Sequence, residues 1–214
     1  MSRLLLSAVG LLIAGWAIAA DRPIFSGPQI DEPLPSFTVE AVSGDTKGKM
    51  VDVIKAADGG PILVVFFHER TRPAFGLTNA IAKFAASRKE QPIKTTVVFL
   101  TDDPTEMRKW TGNVTKHFAP DTLYSFSPDG KEGPGNYGLN RNVLLTVLVG
   151  QKGKVTANFA IVQPQLQVDG PKIMKAIVDV TGGGEVPDIS VLTGGGSRMR
   201  AMEERQKRSQ PEAK

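Results

Sequence analysis

The chain contains no cysteine. It can form no disulfide, offer no thiolate and bind no metal through sulfur, so its folded body must hold together by packing alone. Histidine is almost as scarce, with only His68 and His117, far apart in the sequence. No His-x-x-x-His pair and no carboxylate cluster stands at ligand spacing, so neither a metal nor a cofactor is expected. Aromatic residues are 7% of the chain and nowhere interleave with basic ones as on a nucleic-acid-binding surface. The net charge is only +4, and Ser197 to Lys214 holds six Lys or Arg against three Glu, which leaves the middle of the chain nearly neutral. That distribution argues against a nucleic-acid partner for the folded body.

What is present begins with an apolar run. Arg3 precedes seventeen uncharged residues, Leu4 to Ala20, closing on Ala17-Ile18-Ala19. Residues 1–20 read as a secretory signal peptide; the competing reading is an uncleaved anchor, because seventeen residues stand at the low edge of what spans a bilayer. In either case the body lies outside the cytoplasm, periplasmic or secreted, and touches a membrane only through that anchor. Its partner is then another extracytoplasmic protein.

A length of 214 residues suits one domain with tails. Residues 21–35 are rich in proline and polar residues without strand or helix period, which predicts an extended lead-in. The domain proper spans 36–182. Phe37 to Val42 alternates as a strand, and Met50 to Ile54 is a second, shorter one. Pro61 to Phe67 is continuously apolar, as a strand covered on both faces must be, and is expected at the centre of the sheet. Pro73 can open a helix that runs to about Arg88 on Leu77, Ile81 and Phe84.

A second buried run, Thr95 to Leu100, leads through Thr101-Asp102-Asp103-Pro104 into a helix ending near Phe118. Those aspartates suit helix capping better than a cation site. A loop-rich stretch to Asn136 follows. Val143 to Val149 and Val155 to Ile161 form a hairpin about Gln151-Lys152-Gly153-Lys154, and a last helix runs from Pro171 to about Val180. Gly182-Gly183-Gly184 ends it, and 183–214 reads as glycine-rich linker and basic disordered tail. The glycine triplets join no buried strand to a helix, so they are no dinucleotide loop. The element order predicts an α/β sandwich, a central mixed sheet flanked by helices.

The segment ILVVFFHERTRPAF, with Tyr137-Gly138-Leu139 and the Gln151 to Val155 turn, resembles the thioredoxin superfamily, more specifically its redoxin branch with an N-terminal extension. The likeness covers roughly residues 35 to 182. It implies a thioredoxin-like sandwich in which Phe66-Phe67 hold the aromatic positions before the active-site loop. Thr71 and Ala74 then replace the two thiols, Arg72 and Pro73 lie between them, and Leu144 takes the place of the cis-proline. A threonine hydroxyl is too weak an acid to replace a thiolate without a dedicated base, so the thiol site reads as dismantled as a unit.

The cluster His68, Glu69, Arg70, Thr71, Arg72, Pro73 and Ala74 remains the one patch with a functional look. One possibility makes His68 a base for Thr71; a better one has the arginines and the helix start hold an anion. Solvated loop charges explain the cluster with less, because no third group is visible to orient His68. The expected function is that of an exported, redox-inactive binding module using this loop. Two alternatives stay open: a redoxin-type oxidoreductase or peroxide-handling protein relying on a partner's thiol, and a structural, envelope-associated subunit.

Overall fold

A computed structural model describes residues 23–188. The apolar run of residues 1–20 and most of the tail lie outside the described residues. Seven strands form one sheet in the order β2-β1-β5-β4-β3-β6-β7. They are β1 (Thr38–Ala41), β2 (Met50–Asp52), β3 (Ile62–Phe67), β4 (Lys94–Phe99), β5 (Thr122–Phe126), β6 (Leu145–Gln151) and β7 (Lys154–Ile161). The helices are α1 (Val53–Ala57), α2 (Arg72–Ser87), α3 (Pro104–Val114) and α4 (Leu166–Val180). β3, β4 and β5 are mutually parallel, and all other pairings are antiparallel. The predicted mixed α/β sandwich is therefore present.

β3 is buried at all six positions. Because successive strand side chains point to opposite faces, its residues divide by parity. Leu63, Val65 and Phe67 join a core built with α2, α3 and α4. Ile62, Val64 and Phe66 join a second core on the other face, with α1, the lead-in residue Leu34 and Phe37 just before β1. The middle place in the sheet belongs to β4. β3 stands beside it, at the point where parallel pairing with β4 gives way to antiparallel pairing with β6.

Three elements differ from the sequence expectation. β5 falls in the stretch read as loop; Ser125, its fourth residue, is fully buried and donates its hydroxyl proton to Val97 O at 3.0 Å, so a polar residue interrupts what is a covered strand. α1 follows β2 directly, capped by the Asp52 carboxylate, which accepts from Lys55 N at 3.1 Å. α4 begins five residues before Pro171, which sits inside it. Its start is fixed upstream, where the Asp169 carboxylate accepts from Gln165 N at 2.7 Å.

The β6–β7 turn uses Lys152 and Gly153, both with positive φ (54° and 72°), as a two-residue primed turn requires. Gly182 also has positive φ, and Gly183 N donates to Val178 O at 3.0 Å to close α4, while Val186 beyond it packs on the larger core.

The lead-in is not extended throughout: it turns at residues 29–32, where Glu32 N donates to Gln29 O at 3.0 Å and Asp31 has φ 70°, and it docks on the sheet edge. Leu34 N donates to Gly153 O, Asp31 N to Val155 O, and Val155 N to Glu32 O, so residues 31–34 cover the start of the edge strand β7. Asn158 reaches from β7 to donate to Ser26 O at 2.9 Å and Pro28 O at 2.7 Å.

Candidate functional site

The loop His68–Thr71 leaves the C-terminal end of β3 at the sheet's switch from parallel to antiparallel pairing, the place where open α/β sheets leave a crevice. Strand parity decides where its residues go. His68 continues the face of Ile62, Val64 and Phe66, on the lead-in side. Its Nε2 lies 3.0 Å from Thr146 Oγ1. Thr146 is fully buried and its hydroxyl lies 2.5 Å from that of Ser26, itself 1% exposed. Ser26 Oγ also accepts from Asn140 N at 3.0 Å.

His68 is thus held by a chain of hydroxyls that ends in the lead-in, and burial lowers its pKa from the ordinary 6.5 to about 4. This corrects the expectation that nothing orients His68. The signal existed only in three dimensions, since Ser26 and Thr146 lie 120 residues apart. His68 lines a polar cleft of about 480 Å³ with Glu69, Asp102, Lys131, Glu132 and Arg141. Most of those charges are already matched. Lys131 lies 3.6 Å from Asp102, and Arg141 pairs with Glu132.

Thr71 belongs to the opposite face. Its Oγ1 accepts from Ala74 N at 3.3 Å and its carbonyl accepts from Phe75 N at 3.0 Å, so Thr71 is the N-cap of α2. Pro73 carries no N–H. Among the first amides of α2, only that of Arg72 remains uncommitted, which weakens the helix start as an anion cradle by itself. Ala74 is completely buried. His68 and Thr71 line separate clefts and form no hydrogen bond, so the structure does not bring together a base and the hydroxyl it would activate.

Thr71 and Arg72 border a second cleft of about 670 Å³ between α2 and α3, walled by Phe67, Phe75, Trp110 and Val114 and edged by Arg70 and His117. Arg70 is committed: it pairs with Glu106 at 2.9 Å, and its guanidinium sits 5.2 Å from the Trp110 ring centre. Arg72 and Glu69 are exposed, and Arg72 has no ion-pair partner among the described residues. Leu144 lies beside the loop. Its carbonyl accepts from His68 N at 3.0 Å and its N–H donates to Ile161 O at 2.8 Å. No cis peptide bond occurs among the described residues.

The second half of the likeness also has a structural place. Tyr137 packs edge-on against Phe37 and Phe66, with ring centres 4.8 and 5.2 Å apart, and donates its hydroxyl proton to Pro35 O at 2.9 Å. Asp102 and Asp103 act as caps and loop ties: Asp103 accepts from Glu106 N at 2.8 Å, and Asp102 from Lys131 N at 2.9 Å.

Among solved structures, the chain is similar to the Chlorobium tepidum protein assigned as thiol:disulfide interchange protein DsbE, with a TM-score of 0.57 and 17% identity over 72% of this chain and 99% of that one. A thiol:disulfide interchange protein from a Bacteroides species gives 0.54 and 15%, over 74% of this chain and 93% of that one. The fold is thioredoxin-like. A Bacteroides thetaiotaomicron protein assigned as a protein disulfide isomerase agrees, at 0.57 and 13% over 75% of this chain and 96% of that one. At these identities the likeness establishes the thioredoxin-like fold alone. No protein-family model matches the chain, and no curated protein matches it in sequence. A chain with this fold and no cysteine cannot carry out dithiol exchange with groups of its own.

Proposed function

We propose that this chain is an exported, redox-inactive protein of thioredoxin-like fold that works by binding another extracytoplasmic protein through the loop His68–Ala74 and the clefts beside it. One observation carries this reading: the Thr71 hydroxyl is committed to Ala74 N as a helix cap, and Ala74 is fully buried. The positions that would hold thiols now do structural work, with no base aimed at either. Two clefts flank the loop where its chemistry is missing. Export rests on the apolar run Leu4 to Ala20.

The test has two arms. In insulin-reduction and peroxide-consumption assays the purified protein is expected to give no turnover above a blank; turnover would favour a partner-thiol oxidoreductase. In affinity capture from the extracytoplasmic fraction, the partner retained by the full chain is expected to be lost with R72E and kept after truncation at residue 185. Loss with the truncation alone would make the basic tail the tether and the chain a structural subunit.

A further inference from the structure

The two clefts beside the loop differ in a way that names a partner chemistry. The one holding His68 has four of its five charges matched internally, Lys131 to Asp102 and Arg141 to Glu132, and the charge left over is the acidic Glu69. The one between α2 and α3 is lined by no acidic residue; its walls are Phe75, Trp110 and Val114, and its rim carries Arg72 and His117. Arg72 is exposed and stands without an ion-pair partner among the described residues, whereas Arg70 is held by Glu106 and Trp110. Leu144, the residue aligned with the cis-proline, does not line this cleft.

We infer that the α2–α3 groove takes an extended peptide segment of a partner protein in which an Asp or Glu lies within two positions of an aromatic or branched apolar residue. This rests on the binding function proposed above and specifies what the loop binds. The apolar side chain packs against Trp110 and Phe75, where a ring gains from edge-on contact as well as from burial. The carboxylate meets the Arg72 guanidinium, whose planar fork suits two parallel hydrogen bonds to it. The helix start contributes little beyond that arginine, because Ala74 N is bonded to Thr71 Oγ1, Phe75 N is bonded to Thr71 O, and Pro73 has no N–H. Arg72 is therefore the groove's one arginine without an ion-pair partner among the described residues, and charge selectivity rests chiefly on it. The Arg70–Glu106 pair at the neighbouring rim adds no free charge of either sign.

The experiment screens the full chain against a displayed library of random peptides about twelve residues long, with R72E as the parallel bait. Arg72 is exposed and makes no side-chain hydrogen bond or ion pair, so R72E keeps the fold. The expected result is enrichment of acidic residues within two positions of aromatic or branched apolar ones. Selected peptides should shift the Trp110 indole N–H resonance and bind R72E about tenfold more weakly or worse. Peptides without acidic enrichment, or with equal affinity for R72E, overturn the inference. If such peptides still perturb the amides of residues 68–74, binding through the loop survives; if they perturb neither loop nor Trp110, both fail. An empty selection overturns the inference as well.

Discussion

His68 and Thr146, 78 residues apart, meet at 3.0 Å on the lead-in face of the sheet, and Ser26 closes the row from the other side of Thr146. A side chain that looks like a loop charge in the sequence is thereby a half-buried neutral imidazole, tied through hydroxyls to a segment that precedes the first strand.

A pH dependence follows from that burial. With its pKa lowered from 6.5 to about 4, folded His68 refuses a proton that the unfolded chain accepts between those values. Its contribution is full above pH 6.5 and is lost as pH falls to about 4, on the order of 3 kcal/mol in all. Urea unfolding of wild type and H68Q at pH 7 and pH 5 checks this. The wild type should lose more stability than H68Q between the two; equal losses would show that His68 does not titrate differently in the two states.

Thr146 is the shared partner in that row. T146V keeps the shape but leaves His68 Nε2 and Ser26 Oγ each without it. A loss of about 1–3 kcal/mol at pH 7 is expected by urea denaturation.

The lead-in is tied to the domain by Asn158, which donates to Ser26 O and Pro28 O. N158A should free its first residues and speed limited proteolysis before Leu34, with little change in the global unfolding midpoint, because the edge pairing at residues 31–34 remains. Unchanged cleavage would show that Asn158 does not hold the segment.

At Gly150 a Cβ would come within 2.5 Å of Leu34 Cδ1 and 2.6 Å of Lys154 O. The second contact is backbone at the β6–β7 register shift and cannot swing away. G150A is expected to cost about 1–3 kcal/mol by overpacking, read as a lowered thermal midpoint.

Much of the fold was legible where pattern and burial coincide. β3 is apolar at every position because both faces are covered, and α2 follows its apolar spacing from Pro73. β5 was illegible because Ser125 interrupts Leu123, Tyr124 and Phe126, and its burial depends on Val97 across the sheet. α4 starts early because Asp169 caps it from within, a local bond that outranked Pro171 as a boundary. The loop at residues 68–74 was readable as a segment from the aromatic pair and the proline. Its division between two faces was not, because that depends on where β3 ends. Trp110, Phe75 and His117 gave no local signal; only the packing of α3 beside α2 brings them to one groove.

Thr71 caps the start of α2 through Ala74 N, and Ala74 lies three residues on, about one helical turn away. The most direct measurement is thiol titration and insulin reduction by T71C/A74C, purified with and without oxidant. If the chain keeps a thioredoxin-like scaffold whose thiol positions are 71 and 74, one internal disulfide forms. The reduced protein then shows a thiol pKa below the ordinary value of about 8.5 and measurable turnover, where wild type shows none. Two thiols that stay free under oxidation and titrate ordinarily would contradict the account.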